Sequence, residues 1–178
     1  EIHSLWQSTS LELIVRSSHQ EKMNCLVDLI SGKYGAAANR NADIWVTISS
    51  GQNGWRTNSS LCLNAPSGGL IETSDTYLYL APANGYQTEL EWTFSGGYLH
   101  KKAYLKSRNG RVYAAIEIQV NGSGGGEWLI VLHNTVNPNG SRNLEYDSTK
   151  RIKGEALTSL IDQFEKPARD RPDEQGRD

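Results

Sequence analysis

The stretch YLKSRNGRVYAAIEIQV, residues 104–120, constrains the fold more tightly than any other part of the chain. Asn109-Gly110 is the preferred pair for a type I′ turn, because both central positions of that turn need positive φ. A two-residue loop sets Arg108 opposite Arg111 and thereby fixes every other pair. Lys106 faces Tyr113, Leu105 faces Ala114, Tyr104 faces Ala115 and Lys102 faces Glu117. Alternation sorts Ala103, Leu105, Val112, Ala114, Ile116, Ile118 and Val120 onto one side, the core face. The other side carries His100, Lys102, Tyr104, Lys106, Tyr113, Glu117 and Gln119, with Lys102 and Glu117 as a cross-strand ion pair. This side reads as a solvated sheet face or as a binding face.

The segment from Ala38 to about residue 150 has the same texture. Short apolar runs (IWVTIS, SLCLN, TYLYLAP, TELEWTF, EWLIVLH) alternate with turn-forming Gly, Asn, Ser and Pro. Such spacing implies a mainly β fold, an antiparallel β-sandwich or curved meander sheet, with a helix near each end. SLELIVR, residues 10–16, has strand-like residues. The first helix is expected over about 19–31, where Ser18 and Glu21 form a capping box and Met23, Leu26, Val27 and Ile30 recur at helical spacing. A continuous helix from Ser8 to Ile30 is the rival reading. Trp128 to Leu132 is apolar on both sides, so a cover from the first helix, and with it an α+β arrangement, is the alternative architecture. The second helix is expected over about 155–165, from Ala156, Leu157, Leu160, Ile161 and Phe164, and stops before Pro167. Residues 1–166 then form one globular domain with a β-rich body over 43–150, and 167–178 a disordered tail or linker.

At 178 residues the chain is long enough to bury one sizeable core. Its formal charge of −2 gives no basis for nucleic acid as a partner. No apolar run reaches the roughly 18–20 residues of a membrane helix, so no membrane insertion is expected. A chain starting at Glu1 rather than methionine suggests processing or an excised segment, and an extracytoplasmic location (secreted, periplasmic or cell-surface) is the expectation. Cys25 and Cys62 are either buried thiols or a disulfide closing a loop of about 37 residues, worth about 3–4 kcal/mol. Asn58, Asn121 and Asn139 stand in Asn-x-Ser/Thr tripeptides, which matter only in a eukaryotic secretory setting.

Signals for catalysis are sparse. No G-x-S-x-G, phosphate loop or dinucleotide fingerprint occurs, the four histidines lack metal-ligand spacing, and no cofactor is expected. Glu89 and Glu91 project from the same side of a strand, roughly 6–7 Å apart, close to the spacing of paired carboxylates in retaining glycosidases. Glu145 and Asp147, in the polar segment NPNGSRNLEYD, are the candidate oxygen ligands for a cation. The aromatic set points elsewhere. Trp and Tyr far outnumber Phe, and rings with a polar handle suit sugar contacts. Trp55, in the glycine-rich loop SGQNGWRTN, and Tyr86, in APANGYQ, are the leading contacts, with Tyr104, Tyr113, Lys102 and Glu117 from the ribbon. The expected function is a non-catalytic recognition or attachment module for glycans. A structural or assembly subunit of a pilus-like filament, with a protein partner, is the second reading, and a glycoside hydrolase the third.

Overall fold

The computed structural model describes residues 7–16, 23–38, 42–53, 56–122, 127–145, 147, 149 and 151–165. Among the described residues ten strands run in chain order: β1 (Gln7–Arg16), β2 (Met23–Asp28), β3 (Lys33–Tyr34), β4 (Ile44–Asn53), β5 (Arg56–Asn64), β6 (Gly69–Thr73), β7 (Glu89–Ser95), β8 (Tyr98–Ser107), β9 (Val112–Gly122) and β10 (Glu127–Asn137). An α-helix, α1 (Glu155–Glu165), follows them. All pairings are antiparallel and form two five-stranded sheets, ordered β1-β10-β9-β8-β6 and β3-β2-β4-β5-β7. The inward faces share one hydrophobic core: Val27, Ile44, Val46, Ile48, Leu61 and Leu63 from the second sheet meet Leu105, Ile116, Ile118, Ile130 and Leu132 from the first. The fold is thus mainly β, two antiparallel sheets packed face to face, as alternation and turn spacing imply.

The β8–β9 hairpin forms in the expected register. Lys106 pairs with Tyr113, Leu105 with Ala114, Tyr104 with Ala115 and Lys102 with Glu117. Asn109 lies at φ 57, ψ 36 and Gly110 at φ 82, and the Arg111 amide donates to the Arg108 carbonyl across the turn at 3.3 Å. All seven residues assigned to the inner face are buried in the core. The C-terminal helix also falls where its apolar stripe places it, with Leu160, Ile161 and Phe164 against the core.

The helix expected over 19–31 is not found among the described residues. Residues 23–28 form β2, followed by a turn through Gly32 at φ 68. Cys25 and Val27 pair beside Val46 and Ile44, whereas Leu26 pairs with the half-exposed Trp45, so a period of two accounts for the same apolar residues. The β-branched run Ile44–Ile48 offers a paired ladder that outweighs a local helical pattern lasting barely two turns. The continuous helix from Ser8 fails for the same reason. Residues 7–16 form β1, which extends the first sheet beyond β10 instead of covering it.

The two cysteines are not bonded to each other. Strand β4 lies between them, with Cys25 opposite Val46 and Cys62 opposite Thr47. Two strand spacings amount to about 9–10 Å, beyond disulfide reach, and the side chains leave opposite faces of the sheet. Burial pushes the Cys25 thiol above its ordinary range, partly offset by a hydrogen bond from the Gly35 backbone.

A buried ionic cluster joins the two sheets at one end of the sandwich. Arg108 adopts φ 51 and directs its guanidinium inward, with Nε 2.8 Å from Asp43 Oδ1, and Nη2 2.8 Å from Asp28 Oδ1 and 3.0 Å from Asp43 Oδ2. Ser107 Oγ and the Leu29 amide donate to Asp43 at 2.6 and 2.9 Å, and the Ile30 and Ser31 amides donate to Asp28. Burial alone would lower the Arg108 pKa, but the hydrogen bonds and charges of Asp43 and Asp28 prevail and raise it. The same guanidinium stacks over the Phe164 ring at 4.5 Å, and Arg111 stacks there at 4.9 Å, which anchors α1.

Removing Arg108 leaves two buried carboxylates without their cation. Arg108→Ala should therefore lower unfolding free energy by about 3–5 kcal/mol in urea denaturation, against less than about 1 kcal/mol for Arg111→Ala. The Arg108→Ala/Asp43→Ala pair should cost less than the sum of the single changes. An additive result, or a loss for Arg108→Ala as small as for Arg111→Ala, would dismiss the cluster as a stabilising element.

Candidate functional site

Residues 74–88, between β6 and β7, do not form the strand expected from TYLYLAP. They run as a strap across the outer face of the first sheet, with isolated bridges from Leu80 to Asn143 and from Gln87 to Leu70. Lys102 Nζ donates to the Asp75 and Thr76 carbonyls, both at 3.3 Å, and the Tyr104 hydroxyl donates to Asp75 Oδ2 at 3.2 Å. Farther along, the Leu144 amide donates to the Tyr79 carbonyl and the Ala81 amide to the Arg142 carbonyl. Beneath the strap lies a second small core of Ala81, Tyr104, Tyr113, Ala115 and Leu144, with Leu78 and Tyr86 packed on it.

This strap changes the outer face of the ribbon. Tyr104 and Tyr113, expected as ligand contacts, are buried under it and serve as its floor. Burial, then the charge of Asp75 and its hydrogen bond, raise the Tyr104 pKa. Nor do Lys102 and Glu117 pair with each other. Lys102 holds the strap carbonyls, and Glu117 Oε1 lies 2.6 Å from His100 Nε2. Tyr86 is half-buried, its hydroxyl donating to the Pro82 carbonyl at 2.9 Å and its ring edge-on to Tyr113 at 6.4 Å.

The strap converts a flat sheet into a grooved one. A groove of about 270 Å³ opens between Thr76–Tyr79 of the strap and the sheet residues Lys102, Glu117, His133 and Thr135. His133 pairs directly with Glu117 in the β9–β10 register, so both side chains share this face. At its margin Tyr77 and Tyr79 stack on each other, with ring centroids 5.3 Å apart and planes within 9°. They remain 67% and 53% exposed, which is unusual for two adjacent large rings. The alternating Tyr77, Leu78, Tyr79, Leu80 run looks like a strand in sequence, so neither tyrosine stands out there. A signal exists nonetheless: the run is apolar on both sides of a strand yet is closed at once by Pro82.

The remaining candidates lie elsewhere. Trp55 falls outside the described residues. Glu89 and Glu91 are exposed on the same side of β7, an edge strand of the second sheet, and do not line this groove. Glu145 and Asp147 belong to a series of turns in which side chains accept from amides two residues on: Asn137 from Asn139, Asn139 from Ser141, Asn143 from Glu145 and Asp147 from Thr149. That is turn chemistry, and it explains the Asn- and Ser-rich composition of the segment. Among the described residues, no group of three or more His, Cys, Asp or Glu is arranged to hold a metal ion, and no helix is long and apolar enough to cross a membrane.

Comparison of the chain with protein-family models, curated proteins and solved structures gives no match.

Burial, with smaller contributions from Tyr113 and Tyr104 and against the opposing charge of Arg142, pushes the Tyr86 pKa up to about 12. Because the folded value is raised, neutral Tyr86 contributes stability that is complete below about pH 10 and lost as pH rises through about 12. Tyr86→Phe should remove one late tyrosinate step from the ultraviolet titration and flatten the fall in stability over that window. An unchanged titration in the variant would place Tyr86 in water instead.

Proposed function

We propose that this protein is a non-catalytic glycan-recognition module that binds sugar at the strap groove and acts outside the cytoplasm. The observation that carries this reading is the exposed Tyr77–Tyr79 stack beside a groove whose sheet side supplies an ammonium, a carboxylate, an imidazole and a hydroxyl. A pyranose presents a patch of C–H groups on one face and hydroxyls around its rim. The electron-rich face of an aromatic ring attracts such C–H groups, and carboxylates and amines bind hydroxyls in pairs. The site is shallow and preformed, with its strap pinned at both ends, so little ordering entropy opposes a small ligand. An extracytoplasmic location follows from the ligand class, since displayed glycans face outward.

Assembly with protein partners is the second reading, and the outer face of the second sheet favours it. There Trp45 is 46% exposed beside the half-buried Leu26. One set of variants separates the two readings. A glycan array should give selective binding by the intact protein, reduced at least roughly tenfold by Tyr77→Ala/Tyr79→Ala, the scale of one 1.4 kcal/mol contact. Trp45→Ala should leave that binding unchanged. Absence of glycan binding, together with self-association that Trp45→Ala abolishes, would establish assembly instead.

A further inference from the structure

A second, larger groove of about 630 Å³ lies on the far side of the strap, at the tip of the β8–β9 hairpin. Three segments converge there because glycines permit it. A Cβ on Gly68 would stand 1.8 Å from the Lys106 carbonyl oxygen, and one on Gly69 would stand 2.7 Å from Tyr86 Cβ. At Gly110 a Cβ would meet Lys106 Cε at 2.9 Å and Nζ at 3.6 Å. The lysine side chain therefore lies across the glycine of the turn, beside the groove it helps to line.

Lys106 is the one charged residue among those lining this groove, and no carboxylate lies within ion-pair distance of it among the described residues. Its surroundings add the carboxamides of Asn84 and Asn109 and the half-buried ring of Tyr86. Ser67 is already committed, bonded to Ser107 and accepting from the Arg108 amide. One positive charge, amide donors and an aromatic wall, with no acid present, match a ligand carrying a single negative charge on a ring-sized body.

We propose that this groove is a second binding site, which takes a carboxylate-bearing sugar unit with Lys106 as the carboxylate contact. Lys102, in the strap groove, and Lys106 are four residues apart on β8, about 13 Å from strand rise, with the strap between the two grooves. The choice of a sugar rests on the reading above; the location and charge of the site do not.

Amide chemical shifts of the intact protein, titrated separately with glucuronate, glucose and acetate, provide the test. Glucuronate should shift Gly68, Asn84, Asn109 and Gly110, and should bind at least about tenfold more tightly than either glucose or acetate. Lys106→Met, which keeps the length of the side chain without its charge, should weaken glucuronate at least about tenfold, a loss expected for one charge-assisted contact. Tyr77→Ala/Tyr79→Ala should leave it unchanged. Added salt should weaken binding to the intact protein and not to Lys106→Met. Equal binding by Lys106→Met, equal binding of acetate or glucose, or no shift at those four amides would overturn the proposal. Loss confined to the tyrosine variant would overturn it too, while supporting the strap groove as the sugar site.

Discussion

The architecture depends on one buried guanidinium. Arg108 sits at the tip of a hairpin in the first sheet and binds Asp28 and Asp43, which flank the β2–β4 corner of the second. Two sheets in a sandwich cohere through non-directional apolar burial, which sets their separation but leaves sliding and rotation weakly specified. A guanidinium fork between two carboxylates is directional. Asp43 is fully buried, and its oxygens are occupied by Ser107, the Leu29 amide and Arg108. The cluster carries more acid than base, and backbone amides supply the balance. Holding Arg108 at positive φ costs on the order of 1–3 kcal/mol. That strain is offset by the charge-assisted bonds from the Arg108 side chain to Asp28 and Asp43.

Much of the fold was legible because it rests on local chemistry. Asn109-Gly110 dictates its turn, the turn dictates register, and register dictates that Leu105, Ala114, Ile116 and Ile118 face inward. The helix at 155–165 was equally local, a short apolar stripe ended by proline. Residues 23–30 were misleading because Met23, Leu26, Val27 and Ile30 satisfy helical spacing while Cys25 and Val27 satisfy a strand. The ladder against β4 decides between them, and it is non-local. The Arg108 cluster was invisible for the same reason. Asp28 and Asp43 lie 80 and 65 residues from Arg108, and a charged turn residue in sequence reads as solvated.

The site was legible only in part. Lys102 and Glu117 were placed on the correct face, but their assignment to each other assumed that facing residues pair first. Each finds a better partner outside the ribbon: strap carbonyls for Lys102 and His100 for Glu117. Tyr104 and Tyr113 were placed on the correct face as well, and the error lay in treating that face as solvent. A tyrosine on an outer strand face is equally suited to support a covering segment, through its ring, and to tie that segment down, through its hydroxyl. Tyr104 does both, bonding Asp75 while it underlies the strap.

The strap thereby settles what the outer face can do. An uncovered antiparallel sheet offers a ligand a plane, on which few contacts converge. A chain laid across that plane creates a re-entrant angle on each side: one groove has a sheet floor, and the other is closed by the hairpin tip and the 66–68 turn. The floor beneath the strap must be apolar enough to hold it, which consumes Tyr104, Tyr113 and Ala115. The polar residues left outside that footprint, Glu117 and His133 on one side and Lys106 on the other, are therefore those that face the grooves. The side chains exposed on the strap itself are bounded by the same constraint. Leu78 and Ala81 point down into the small core, whereas Tyr77 and Tyr79 stay out of it and stack on each other. Two large rings therefore stand in parallel beside a groove of hydrogen-bonding groups, which is the geometry behind the proposed sugar contact.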